Sequence, residues 1–276
     1  MMTALLLSIL FCLRKNLDFT LLTYRQLLET LKECGYTFIT FKQYCQTPAD
    51  KLPERFIILR HDVDLRAKNS LATAQIEHEF GLQASYYFRV VPESNQPDII
   101  RKIVALGHEV GYHYEDMAIM SGDTEKALAH FQQQLSYFRQ YYPISTICMH
   151  GAPTSQWDGR TLWKHIDYRE FGIIGEPYFD VDFSQVFYLT DTGRRWDGYK
   201  VSVRDKIPQY QDLWTEKGWV YRRSSQIIEA AKKTTLPSRI MITTHPQRWT
   251  NNLLLWIGEM LLQTAKNTIK RMFLVK

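Results

Sequence analysis

Phe56-Ile57-Ile58-Leu59-Arg60-His61-Asp62-Val63-Asp64 is the stretch that decides how this chain folds. Four apolar residues in a row, two of them β-branched, are too few for a buried helix and read as a buried strand. The run continues into an arginine, a histidine and two carboxylates with no turn residue between. Whatever those groups do, they do it at the end of a strand.

The pattern extends in both directions. Upstream, Leu21, Tyr24, Leu28 and Leu31 recur at helical spacing, with Thr20 as N-cap and Gly35 beyond the last turn. Strand-like runs occupy 36–41, 84–90, 108–114, 145–149, 171–174, 186–190 and 239–244, and helical patterns occupy 69–80, 97–106, 123–142 and 253–272. Strands alternating with helices predict parallel βαβ units, and about seven of them predict an α/β barrel or wound sheet. In either architecture chemistry gathers at the C-terminal strand ends. No Gly/Ser-rich linker, repeat or low-complexity tract divides the chain. Residues 18–276 therefore read as one domain behind an apolar extension or helix at 1–17.

Composition sets the outer limits. Of 276 residues, 45 % are hydrophobic and 23 % charged, which excludes a disordered, collagen-like or coiled-coil chain. The formal charge of +5 is too small to predict a nucleic-acid partner and fits an electropositive patch for an anionic substrate. Cys12, Cys34, Cys45 and Cys148 show no paired or zinc-ribbon spacing, so they read as isolated thiols. Residues 3–13 are mostly apolar and are followed by Arg14 and Lys15. This run is shorter than the roughly 20 residues a membrane span needs. Its charge follows the apolar stretch, whereas a secretory signal carries charge ahead of it. The expectation is a cytoplasmic protein, with peripheral membrane association through residues 3–13 as the alternative.

The predicted strand ends are rich in one kind of residue. The first run delivers His61, Asp62 and Asp64; the segment after Gly107 delivers His108, Glu109, His113, Glu115 and Asp116. Later runs deliver His150, then Asp191, Arg194, Arg195 and Trp196, and finally His245. Singly, each histidine has an ordinary structural reading as a hydrogen-bonded terminus. Together at successive strand ends, carboxylates and imidazoles without organised thiolates describe a site for one borderline divalent cation: zinc foremost, or nickel, cobalt or iron. Asp62 and Asp64, two apart in extended backbone, share a face. One can ligate the cation while the other takes a proton from water, and a remaining histidine can protonate the leaving group.

The segments Ile58-Leu59-Arg60-His61-Asp62-Val63-Asp64 and Gly107-His108-Glu109-Val110-Gly111-Tyr112-His113 resemble the first two motifs of the polysaccharide deacetylase family, carbohydrate esterase family 4. The similarity extends over residues 56–249. It implies a distorted (β/α) barrel of about seven parallel strands and a metal-dependent hydrolase that removes N-acetyl, sometimes O-acetyl, groups from sugars. The implied partner is an acetylated sugar or glycan precursor in polysaccharide or cell-envelope metabolism. By the same comparison Asp62 matches the general base, Asp64 and His113 metal ligands, and His245 the general acid. Where the family places a second metal-binding histidine, this chain has Met117, a poor ligand for such a cation. His150, Glu115 and Asp116 are the available replacements, His150 being preferred. Arg60, Tyr114, Asp191, Arg194 and Trp196 are the expected substrate contacts, Trp196 as a wall of the acetyl pocket. Two other functions compete: a non-catalytic carbohydrate-binding relative that has lost the metal, and a hydrolase of a non-sugar C–N amide bond on the same scaffold.

Overall fold

A computed structural model describes residues 17–197 and 201–273. Its centre is strand β2 (Phe56–Val63), every residue of which is buried. A strand paired on both edges and covered on both faces must be apolar nearly throughout, and 56–59 is. The other strands are β1 (Thr37–Ile39), β3 (Ser85–Phe88), β4 (Glu109–Tyr114), β5 (Ile147–Met149), β6 (Phe187–Thr190) and β7 (Arg239–Thr244). They form one parallel sheet in the order β5-β4-β3-β2-β7-β6, with β1 paired to β2. The sheet curls into a half-barrel. Its helices are α1 (Leu21–Glu33), α2 (Phe41–Gln46), α3 (Ala67–Glu79), α4 (Pro97–Ala105), α5 (Asp116–Ile119), α6 (Thr124–Phe138), α7 (Pro177–Asp180), α8 (Pro208–Glu216), α9 (Ser224–Lys232) and α10 (Leu253–Phe273).

Local chemistry accounts for several element ends. Thr20 accepts the backbone N–H of Thr23 and starts α1. Thr40 and Gln43 form a reciprocal capping box, which ends β1 at Ile39 and begins α2 inside the run expected to be strand. Helix α6 stops at Phe138, short of the expected 142, because Pro143 bars Tyr142 from helical backbone. The strand expected at 171–174 does not form. Asp167 caps a 3₁₀ turn over Tyr168–Phe171, and the chain then touches the sheet through a single bridge, Thr146 to Gly175.

The pleat decides which side chains enter the barrel. On β2, Arg60 and Asp62 point inward, while His61 points out to Glu77 of α3 at 2.8 Å. On β4, His113 points inward, whereas Tyr112 and Tyr114 point outward to Phe131 of α6, the first stacked on its ring and the second edge-on to it. Gly111 lies opposite Tyr87 in the register, and a Cβ there would sit 2.3 Å from that ring. Only glycine lets Tyr87 fill the interior and reach Thr146 Oγ1 at 3.0 Å.

Residues 3–13 lie outside the described residues. Among the described residues no helix is long and apolar enough to cross a membrane.

Candidate metal centre

Strands β2, β4, β5, β6 and β7 all end at one cavity of about 410 Å³, closed on its far side by α10. Asp62, Asp64, His113, His150 and His245 line it. Three of their ligand atoms converge. His113 Nε2 lies 3.5 Å from Asp64 Oδ1, and His150 Nε2 lies 3.6 Å from the same oxygen. One ligand atom from each of Asp64, His113 and His150 falls within 4.8 Å of the other two.

The second nitrogen of each ring sets the tautomer. His113 Nδ1 donates to the carbonyl of Cys148 at 2.9 Å, and His150 Nδ1 donates to Glu115 at 2.8 Å. Both Nε2 lone pairs are thereby aimed at Asp64. Glu115 is itself fixed by a fork from Arg89, at 2.7 and 2.8 Å. A ligand histidine backed by a carboxylate or a backbone carbonyl is the usual outer arrangement of a metal centre. Asp64 Oδ2 accepts from Gln247 Nε2 at 3.1 Å, but Asp64 Oδ1 is buried with no hydrogen-bond donor. Two nitrogen lone pairs and an unpartnered carboxylate oxygen facing one another are an arrangement that a divalent cation satisfies. With bonds near 2.0–2.2 Å and tetrahedral angles, donor atoms stand about 3.4 Å apart, close to the spacing found. The residues present therefore fit a divalent ion.

A second group, Asp62, His113 and Cys148, is also close enough to share an ion. It is the weaker one. Arg60 already occupies both oxygens of Asp62, with Nε and Nη2 at 2.8 and 2.6 Å. Burial, reinforced by Asp62 and only partly offset by Arg60, pushes the Cys148 thiol well above its ordinary pKa, so it stays protonated.

His245 closes another side of the cavity, its Nε2 3.8 Å from Asp64 Oδ2. Its Nδ1 donates to Asp191 Oδ1 at 2.6 Å and its backbone N–H donates to the same carboxylate. The turn Pro246–Arg248 then brings Arg248 Nη1 and Trp249 Nε1 onto Asp191 at 2.5 and 2.8 Å. Burial and Arg248 press the His245 pKa down, but Asp191 and Asp64 outweigh them and raise it. Asp191 is held below its ordinary value, burial being overcome by Arg248 and His245.

The other expected site residues lie elsewhere, and each displacement has a reason. Of the three replacements for the missing histidine, only His150 faces Asp64. Glu115 is taken up by Arg89 and His150, and Asp116 accepts from Tyr112 and His130 on the outer face. Met117 is buried in the short helix α5, away from the cavity. Arg60 does not contact the cavity as a substrate group; it lies one pleat beneath Asp62 and clamps it. Tyr114, on the opposite pleat from His113, packs between Phe131 and Trp163. Trp196 does not line this cavity: it is buried against Phe19 and Trp249, its Nε1 donating to Ser224 Oγ at 3.0 Å. Arg194 stacks on Phe19 and Trp256 and faces a separate cleft. Asp191 sits beneath His245, out of substrate reach. His108 precedes β4, at the far end of the sheet, where Nδ1 accepts from Ala84 N–H and Nε2 donates to Ala74.

Several residues were missed from sequence. Arg89 follows β3 directly, and a charged residue near the C-terminal end of the run expected to be strand over 84–90 was a usable signal. Gln247 and Arg248 follow His245 directly. Asp205 and the lysines of α10, Lys266 and Lys270, reach the cavity from a loop and a helix that carry no strand-end signal. Asp205 accepts from the hydroxyls of Tyr178, Tyr188, Thr190 and Thr192. No protein-family model, curated protein or solved structure matches this chain.

Proposed function

We propose that this chain is a metal-dependent hydrolase that removes an acetyl group from an N-acetylated or O-acetylated sugar, in polysaccharide or cell-envelope glycan metabolism. The observation that carries the metal-dependent part is Asp64 Oδ1, buried and without a donor between the Nε2 atoms of His113 and His150. The sugar and the acetyl group rest on the motif resemblance around Asp62–Asp64 and His113. A half-barrel with β1 beside β2 supports a distorted barrel of about seven strands of the kind that resemblance implies.

Asp64, His113 and His150 would hold the cation, zinc foremost, with nickel, cobalt or iron as alternatives. A divalent ion there supplies Lewis acidity, polarising the acetyl carbonyl and making water a better nucleophile. Asp62 takes the proton from the attacking water. The Arg60 fork fixes the plane of that carboxylate and leaves each oxygen a second lone pair for the transfer. His245, oriented by Asp191 and disposed toward its protonated form, gives a proton to the departing amine or alcohol. The reading of a metal-free sugar-binding relative rested on Met117, and His150 supplies the nitrogen that Met117 does not.

Metal analysis of the purified chain combined with acetate release from a panel of N- and O-acetylated sugars tests the proposal. Expected are about one divalent ion per chain and acetate release that a chelator abolishes and zinc restores. Sugar binding without metal or acetate would establish the carbohydrate-binding reading instead. Ammonia release from a non-sugar amide would establish the third.

A further inference from the structure

Helix α10 is built inside out. A helix lying on a protein buries an apolar stripe and shows polar residues to water. Here the buried positions are polar, Glu259 and Gln263, while Leu254 is 80 % and Met272 68 % exposed. Seven of the fourteen exposed large apolar side chains among the described residues lie on this one helix. At 100° per residue, Leu254, Leu261, Leu262, Ile269 and Met272 fall within one sector of its circumference.

The flanks of that sector are basic. Glu259 is the helix's one carboxylate, and it is buried 3.8 Å from Arg66. Lys266 and Lys270 border the sector on the side of the metal cavity. On the other side Arg271 joins Arg194, Arg195, Arg222 and Arg223 around a cleft of about 470 Å³. Asp197 engages Arg195 and Arg222, whereas Arg223 and Arg271 meet no carboxylate among the described residues.

We propose that α10 is an interfacial helix that seats this protein on a bilayer containing anionic lipids, its apolar face entering the acyl boundary and its flanking cations meeting lipid phosphates. Apolar area with Lys and Arg at its margins is the combination such surfaces retain. The same charges disfavour a second copy as the occupant, because pairing two such faces would bring Lys266, Lys270 and Arg271 toward their equivalents. Ile269 belongs both to the apolar face and to the wall of the metal cavity, so docking brings the mouth of that cavity to the lipid surface. The proposal stands independently of the hydrolytic reading.

The test is flotation of the full chain with vesicles of phosphatidylcholine alone and with added phosphatidylglycerol. Expected is binding on the order of tenfold tighter to the anionic vesicles, weakened by salt. A Leu254→Glu/Leu261→Glu double variant should lose at least about tenfold of that binding at an unchanged melting temperature, since both side chains are exposed. Arg223→Ser/Arg271→Ser should lose the preference for anionic lipid. Binding to neither vesicle overturns the proposal. So does full binding by the leucine variant, which would place the attachment elsewhere, residues 1–16 included. A dimer that the leucine variant converts to monomer, with no lipid binding, would assign the face to a second copy.

Discussion

Arg60 and Asp62 lie on the same face of β2, two residues apart, and the guanidinium forks onto both oxygens of the carboxylate inside the barrel. The arginine is 1 % and the aspartate 3 % exposed, so neither has water as an alternative partner. A buried pair of this kind contributes geometry more than stability, and breaking it leaves an uncompensated charge that costs about 3–5 kcal/mol. The Asp62 carboxylate is thus held in one rigid orientation.

That relationship separates two variants. Asp62→Asn removes the acceptor and should lower kcat by about 10²–10⁴ while leaving bound metal unchanged. Arg60→Lys keeps the charge but cannot form the fork, and should lower kcat by about tenfold or more at unchanged metal content. Acetate release and metal analysis on the same preparations check both. Loss of metal in Asp62→Asn would move Asp62 from the base to the ligand set.

The support of His150 by Glu115 predicts a graded loss of metal. His150→Ala should abolish stoichiometric binding. Glu115→Gln leaves the ligand in place but weakens the acceptor on Nδ1, and should reduce metal affinity about 10–100-fold. Competition with a chromophoric chelator measures the series.

Met117→His restores the residue that the family resemblance expects, yet should bind no additional metal and rescue nothing. Met117 is 4 % exposed inside α5 and does not line the cavity, so an imidazole there is a buried polar group without a designed partner. The expected result is a stability loss of about 1–3 kcal/mol with unchanged metal stoichiometry. Tighter metal binding in this variant would show that α5 can turn residue 117 inward.

Glu176 gives a pH dependence. Burial pushes its carboxyl up to about 7, although it accepts the backbone N–H groups of Met149 and Tyr178. Its unfolded value is near 4.3, so between about pH 4.3 and 7 the folded chain binds the extra proton. Stability from this group is greatest below about pH 4.3 and falls as pH rises to about 7, by on the order of 4 kcal/mol. Glu176→Gln should flatten the melting-temperature profile over that window relative to the parent. Parallel profiles for the two proteins would refute the assignment.

By itself, the sequence determined on which side of the molecule the carboxylates and imidazoles gather. Parallel strands joined by helices all end on one side, so Asp64, His113, His150 and His245 are brought together by strand direction alone. It did not determine which residue of each pair points inward. A half-barrel covered by helices has no water-facing side along its central strands, and both faces are buried. The polar–apolar alternation that marks a pleat's phase is therefore missing, and His61 beside Asp62, or Tyr114 beside His113, read alike until the sheet is built. Partners from distant chain were decided only by the tertiary structure: Glu115 reaches His150 across 35 positions. Helix α10 shows the same limit. Its periodicity was legible, but that its apolar side faces outward is settled by packing against the barrel, where Glu259 and Gln263 take the inner positions.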